Sequence, residues 1–236
     1  MYSFIDIHNH MLCDVDDGAK DLDESMQMLE RSYNSGTKSV ILTPHFNLSR
    51  NYSTIEKIRS EFLRLKEEAS KKFPDLNLYL GNEIYYSIDV PELLEKSKIL
   101  TLNDSGYILV EFGISKSFEF IKDSIFEINQ LGLSPIIAHI ERFECFKNNI
   151  EGVREIIKDG AYVQVNASSV LKKSRFIKKM LKYNLVHFIA SDSHNLSSRP
   201  PELQDCFIYV NKKFGQQYAS ELFYRNAKKV IDNEFI

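Results

Sequence analysis

Ile5-Asp6-Ile7-His8-Asn9-His10 opens the chain with a short apolar run that ends in two histidines one residue apart. In a β-strand, residues i and i+2 point to the same face, so two neutral imidazoles placed this way can grip one metal ion. A lone His-x-His is a weak signal. It gains weight because later apolar runs also end in His, Asp or Glu.

Residues 3–8, 38–43, 76–82, 106–111, 134–138, 161–166 and 185–191 read as short buried strands rich in Ile, Val, Leu and Tyr. Segments with helical period separate them. Leu22, Met26, Leu29 and Tyr33 share one helix face that Gly36 can close, and Ile55, Ile58, Phe62, Leu65 and Ala69 form another, with Ser53 and Glu56 as a capping box. Ile121, Ile125 and Ile128 precede Gly132, and Val153, Ile156 and Ile157 precede Gly160. The tail reads as two helices, around 202–214 and 217–231. Strands that alternate with helices predict an α/β fold, with parallel strands joined by right-handed crossovers, either a barrel or an open sheet. His8-Asn9-His10 stands where a dinucleotide-binding fold would carry GxGxxG. With no linker, repeat or low-complexity stretch, residues 1–236 read as a single domain.

The 236 residues are 43% hydrophobic and 27% charged, ordinary for a soluble enzyme. A net charge of −3 without a basic block argues against nucleic acid as partner. No apolar run approaches the roughly 20 residues of a membrane span, and the amino terminus lacks signal-peptide character. Three cysteines (Cys13, Cys145, Cys206) without CxxC spacing argue for a reducing compartment, with the cytoplasm as default.

The carboxyl ends of the runs hold the chemistry. They carry His8 and His10, then Thr43-Pro44-His45, Gly81-Asn82-Glu83, Val110-Glu111-Phe112, Ala138-His139-Ile140-Glu141-Arg142 and Ala190-Ser191-Asp192-Ser193-His194. The sixth run ends in Gln164-Val165-Asn166, without a ligand-type residue. In α/β barrels and open α/β sheets this edge is where sites are built. The acidic loop Asp14-Val15-Asp16-Asp17-Gly18 can add a further group. Since a catalytic metal takes about three protein ligands, the donors suit two or three ions. Imidazole and carboxylate without thiolate suit Mn²⁺, Fe²⁺ or Zn²⁺.

Each residue alone has a plainer reading. A single His at a strand end is more often a loop hydrogen-bonding residue, and Asp14, Asp16 and Asp17 can simply cap the helix near Asp21. The whole set is hard to explain that way. His187, inside a strand, reads as a barrel-wall residue. Arg142 and Arg199 lie close to proposed ligands, and a guanidinium fork is a natural phosphate clamp. Tyr85 and Tyr86 can line an aromatic pocket, with at least one expected in the core. A cysteine phosphatase needs Arg six positions after Cys; here those positions hold Ala19, Glu151 and Lys212. The acidic loop fails the EF-hand register, and neither GxSxG nor GxxxxGK[ST] occurs.

From His-x-His through Asp-Asp-Gly, Thr-Pro-His, Gly-x-Glu-Ile, Glu-Phe and Ala-His-x-Glu-Arg to Ser-Asp-x-His, the chain resembles the polymerase-and-histidinol-phosphatase (PHP) superfamily. Within it, the chain is similar to the bacterial manganese-dependent protein-tyrosine phosphatases of capsule and exopolysaccharide operons. The resemblance extends from Phe4 to the C-terminal helices and includes Leu102-Asn103-Asp104-Ser105, His194-Asn195-Leu196 and Arg199-Pro200-Pro201. It implies a distorted TIM-like (β/α)7 barrel with three divalent ions at the carboxyl mouth, manganese first, with iron or zinc as alternatives. His8, His10, Glu83 and Asp192 would hold one ion. Glu83 would bridge to a second with Glu111 and His139, and Asp17, His45 and His194 would hold the third. Adjacent Asp16 is the alternative to Asp17. Arg142 and Arg199 match the family's phosphate-binding arginines.

The activity so implied is hydrolysis of phosphotyrosine by a metal-bridging hydroxide, without a phospho-enzyme. Its substrate would be the Tyr-rich tail of a phosphorylated bacterial tyrosine kinase, met in the cytoplasm near the inner face of the membrane. Some members of the family form oligomers. Two alternatives are a small-molecule phosphomonoesterase such as histidinol phosphatase, and a non-catalytic metal-dependent phosphopeptide-binding module.

Overall fold

The computed structural model describes residues 3–50 and 52–236. Among the described residues nine strands, all paired in parallel, carry the fold: β1 Phe4–Asp6, β2 Thr37–Leu42, β3 His45–Phe46, β4 Asn77–Leu80, β5 Glu83–Tyr85, β6 Tyr107–Glu111, β7 Ser134–Ile137, β8 Tyr162–Asn166 and β9 Phe188–Ala190. They form two sheets, β1-β2-β4 and β3-β5-β6-β7-β8-β9. The result is a mixed α/β architecture whose parallel strands curl as a half-barrel, in keeping with a distorted TIM-like fold.

Two strands per run replace one at the second and third runs. Between β2 and β3 stands Pro44, which has no N–H to give the ladder. Between β4 and β5, Asn82 donates its side-chain amide to the Pro44 carbonyl (2.9 Å) and accepts the Leu100 N–H (3.0 Å). These breaks re-aim the strand ends that carry His45 and Glu83. The first run is also shorter than its hydropathy predicts. β1 stops at Asp6, and a single parallel bridge, Asn9 with Ser193, continues it.

Hydrogen bonds bring the first and last strands together at this end. Asp192 N–H donates to the His8 carbonyl and His10 N–H to the Ser193 carbonyl, both at 2.8 Å. Beneath them the buried Asp6 carboxylate accepts the Ser191 hydroxyl (2.6 Å) and the Ser191 N–H (3.1 Å). Burial raises the Asp6 pKa against the opposing pull of those bonds. Asn9, the middle of His-x-His, is tied to β2: its amide donates to the Ile41 carbonyl, and its backbone exchanges hydrogen bonds with the Thr43 hydroxyl, all at 3.0 Å.

Helices cover the outside: α1 Leu22–Asn34, α2 Ile55–Lys72, α3 Val90–Glu95, α4 Phe118–Gln130, α5 Ile150–Lys158, α6 Ala167–Leu171, α7 Arg175–Lys182, α8 Gln204–Phe214, α9 Gln216–Ser220 and α10 Asn226–Asp232. A π-helical turn, Glu221–Arg225, joins the last two. Leu29, Ile58, Leu65 and Ala69 are buried as their spacing predicts, whereas Met28 rather than Met26 takes the deep position on α1. Thr54, not Ser53, caps α2, its hydroxyl accepting the Lys57 N–H. Inside the curl, Ile5, Ile7, Ile41, Leu109, Ile136 and Phe188 pack on one another and on Ala227 and Val230 of α10. Fully burying each large aliphatic side chain contributes about 1.5–3 kcal/mol. No helix among the described residues is long and apolar enough to cross a membrane.

His187 lies just before β9 and not inside a strand, and its ring is hydrogen-bonded to β8. Its Nδ1 accepts the Val163 N–H (3.1 Å), and the ring meets Tyr162 edge-on at 5.2 Å. Burial holds its pKa down to about 4, from an ordinary 6.5. The unfolded chain therefore binds this proton first as pH falls, so the stabilisation is present above pH 6.5 and lost on the way to pH 4. Linkage puts the loss at no more than about 3 kcal/mol. In urea unfolding, the penalty of His187→Gln relative to the parent should shrink by up to that amount between pH 7 and pH 4. A penalty independent of pH would contradict this assignment.

Candidate metal centre

Glu83 begins β5 and is completely buried. Register sets it beside His45 of β3, and its carboxylate lies 3.1 Å from His8 Nε2, His10 Nε2 and His45 Nδ1 and 2.9 Å from His139 Nε2. Around this carboxylate the side chains fall into four overlapping groups whose ligand-type atoms all lie within 4.8 Å of one another. These are His8–Glu83–His139, His8–His10–Asp192, His45–Glu83–Glu111 and His10–Asp17–His45–His194. All nine residues named from the sequence as ligands are thus in one place.

Local backbone explains the convergence. The acidic loop folds back so that Ala19 N–H reaches the His10 carbonyl at 3.0 Å. A Cβ on Gly18 would sit 2.1 Å from that same oxygen, so the close approach requires glycine. The fold-back lets Asp16 accept from His10 Nδ1 (2.7 Å), from His45 N–H (2.9 Å) and from Gly18 N–H (2.9 Å). Asp17 instead points at the far side of the cluster, 3.5 Å from His45 Nε2 and 3.8 Å from His194 Nε2. Asp16 orients an imidazole; Asp17 faces the donors. His139 and Asp192 adopt left-handed backbone, with φ of 31° and 51°. Such conformations cost about 1–3 kcal/mol and cluster at functional sites.

Tautomers follow from the partners. His10 Nδ1–H donates to Asp16, and His194 Nδ1–H donates to the Asp192 carbonyl at 3.0 Å. Each Nε2 is left facing the cluster. Among the described residues, His8 Nε2, His10 Nε2, His139 Nδ1 and Glu83 Oε2 are buried without a hydrogen-bond partner, although the first two lie near Glu83. Orphaned buried polar atoms are costly, and these sit within or beside a set of five imidazoles and four carboxylates. That donor set, without thiolate, fits a hard to borderline divalent cation.

Charge points the same way. Burial opposes ionisation of Glu83, yet His8 and His45 hold its pKa well below the carboxylate range. Burial likewise lowers His8 and His10, but Glu83 with Asp192, and Asp16 with Glu83, raise them overall, His10 strongly. Asp16 is held at about 2, against burial, by His10 and then His45. Glu111, by contrast, is pushed up to about 7 by burial and the nearby Glu83 carboxylate. Burial and then the charge on His10 lower His45 and His194, the latter to about 2, so His8, His10 and Glu111 favour protons while those two imidazoles stay neutral.

The cluster floors a cavity of about 390 Å³. Arg142 and Arg199 both line it, and both also reach Asp192 Oδ2, at 2.5 and 3.6 Å. Tyr85 joins Phe112 and Ile114 on the wall, whereas Tyr86 is core, its hydroxyl donating to Glu127 at 2.5 Å. Arg50 and Tyr52 line the cavity as well, with the Tyr52 ring stacked on His45 at 5.5 Å. Sequence reading passed over these two, because nothing in a loop's composition marks which residue turns inward. It also passed over Gln164 and Asn166, the polar end of β8. None of Cys13, Cys145 and Cys206 lines this cavity, and burial raises all three thiols.

Residues 4–232 match the family model described as capsular polysaccharide synthesis, CpsB/CapC. The chain is 42% identical to the tyrosine-protein phosphatase CpsB of Streptococcus pneumoniae, over 98% of this chain and all of that one. It is 35% identical to the putative tyrosine-protein phosphatase CapC of Staphylococcus aureus, covering 98% and 92% of the two chains. It superposes with a TM-score of 0.92, at 30% identity and with 98% and 96% coverage, on a crystal structure from work on Bacillus subtilis YwqE and S. pneumoniae CpsB, described as unique metal-dependent tyrosine phosphatases. With a family model matching almost its whole length and relatives this similar end to end, the chain belongs to the CpsB/CapC family.

Proposed function

We propose that this protein is a metal-dependent protein-tyrosine phosphatase acting in capsular or extracellular polysaccharide synthesis. The observation that carries the reading is the set of buried, unpartnered imidazole and carboxylate atoms around Glu83, at the floor of a cavity lined by two arginines. Relatives named as tyrosine-protein phosphatases support the substrate class. On this reading residues 1–236 form one domain, a distorted (β/α)7 barrel. It would hold three divalent ions, most naturally Mn²⁺, on His8, His10, Asp17, His45, Glu83, Glu111, His139, Asp192 and His194.

Bound divalent cations supply Lewis acidity, making hydroxide available near neutral pH and offsetting phosphoryl charge. The chain's own residues do the rest. Arg142 and Arg199 bind the non-bridging phosphate oxygens with planar, multiply donating guanidinium groups. Tyr85, Phe112 and Ile114 give the phenyl ring an apolar wall. Asp192, gripped by Arg142 and by the Asn166 amide at 2.7 Å, couples the phosphate clamp to the cluster. A phenol leaves readily as its anion, with pKa about 10, so a strong general acid is not required. The cysteines, raised in pKa and off the cavity, are unsuited to a phospho-cysteine route. Following the family resemblance, the substrate is a phosphotyrosine-bearing tail of a bacterial tyrosine kinase, met in the cytoplasm at the membrane's inner face.

Protein stripped with a chelator should release no phosphate from a phosphotyrosyl peptide and should recover on addition of Mn²⁺. Full turnover after stripping, or stronger turnover of histidinol phosphate than of the peptide, would replace this reading. His8→Ala and Glu83→Ala should lose more than about a hundredfold in kcat/KM, beyond the 10–100-fold typical of outer hydrogen-bond partners.

Arg142→Ala removes charge-assisted bonds worth about 1.5–3 kcal/mol, so kcat/KM should fall about 10–100-fold. Its metal content should stay near that of the parent, because Asn166 still holds Asp192. Unchanged kinetics in this variant would remove Arg142 from the phosphate clamp.

A further inference from the structure

The end of β8 carries no ligand-type residue, yet it touches three of the groups that converge on the cluster. Gln164 is buried, and its Oε1 lies 3.1 Å from His8 Nδ1 and 2.7 Å from the His139 N–H. Its Nε2 donates to Asn166 Oδ1 at 2.8 Å, and Asn166 Nδ2 donates to Asp192 Oδ2 at 2.7 Å.

The direction of this chain is set by its two ends. A backbone N–H can only donate, so the Gln164 atom facing His139 is the oxygen. A carboxylate accepts, so the Asn166 atom facing Asp192 is the nitrogen, and its oxygen is left for Gln164 Nε2. Every link then pairs a donor with an acceptor. It follows that His8 Nδ1, facing an amide oxygen, carries the proton. In the neutral, metal-binding ring its Nε2 then keeps a lone pair aimed into the cluster, where it is buried beside Glu83 at 3.1 Å without hydrogen-bond geometry. The same network holds His139 at its backbone and Asp192 at its side chain, and these two adopt left-handed backbone.

We propose that Gln164 and Asn166 are positioning residues: through the Gln164–Asn166 hydrogen-bond chain they fix the His8 tautomer and the seating of His139 and Asp192, and so set how tightly the site holds a divalent cation. This deepens the reading of the cluster as a metal site and rests on it. Partners of this kind orient ligands, and their removal costs about 10–100-fold in metal affinity or activity.

Mn²⁺ affinity of the full-length chain, read by competition with a fluorescent chelator, tests the proposal alongside phosphate release as a function of Mn²⁺. Gln164→Met keeps the volume and removes the amide, and should raise the half-saturating Mn²⁺ concentration about 10–100-fold. The loss should lie mainly in the Mn²⁺ requirement and less in the plateau rate. Gln164→Glu keeps an oxygen for His8 and His139 but cannot donate to Asn166 Oδ1, and should recover part of that affinity. Asn166→Leu reaches the site through Asp192 and should weaken Mn²⁺ in the same direction, which keeps the test open if Gln164→Met fails to fold. Parental Mn²⁺ affinity in both Gln164→Met and Asn166→Leu would overturn the proposal, as would Gln164→Glu binding as weakly as Gln164→Met. A parent chain that binds no Mn²⁺ overturns it together with the metal reading. A parent that binds Mn²⁺ but spares phosphotyrosine ends the phosphatase reading alone, and the affinity series still decides this one.

Discussion

A fully buried carboxylate with four imidazole nitrogens from three different strand ends about it is the constraint on which the rest of this structure depends. Glu83 lies 2.9–3.1 Å from His8, His10, His45 and His139. Moving an isolated carboxylate into the interior is very unfavourable unless opposite charge compensates it. Protons on the histidines can do so, but as placed His8 Nε2, His10 Nε2 and Glu83 Oε2 do not meet hydrogen-bond geometry. A divalent cation satisfies the charge and the lone pairs at once, which is why the cluster makes sense as a metal centre and not as a salt-bridge network built for stability.

Much of the surrounding fold serves to bring those strand ends together. Pro44 and Asn82 break two strands so that His45 and Glu83 stand side by side in register. Asp6 and Ser191 tie the first strand to the last, and Asn9 is bonded to β2 between its two histidines. Gly18 admits the acidic loop to the His10 carbonyl. Arg142 and Arg199 then connect the cluster to the cavity through one carboxylate, Asp192.

The strand ends were legible because hydrophobic runs stop where the chain leaves the sheet, and the residues that follow share one rim. The seven apolar runs, most helix faces and the clustering of all nine proposed ligands follow from that logic and from family resemblance, but the second and third runs each hold two strands, so the strands number nine among the described residues. Boundaries were less legible. β1 ends at Asp6, so the i, i+2 argument for His8 and His10 holds by the Asn9 bridge and not by a continuous strand. Thr54 rather than Ser53 caps α2, because capping depends on which hydroxyl the backbone turns toward the first N–H groups. The roles of Asp16 and Gln164 were hidden for a different reason. An orienting partner is recognisable only from the atom it touches, and residue type alone does not distinguish Asp16 from Asp17. Tyr85 and Tyr86 make the same point: the last residue of β5 and the one after it face opposite ways, one to the cavity and one to the core.

Crystals of the full-length chain soaked in Mn²⁺, with anomalous data collected at the manganese edge, test the central claim most directly. The account predicts anomalous peaks in contact with the Glu83 carboxylate and with Nε2 of His8 and His10. Manganese bound elsewhere, with Glu83 still paired only to histidines, would contradict it.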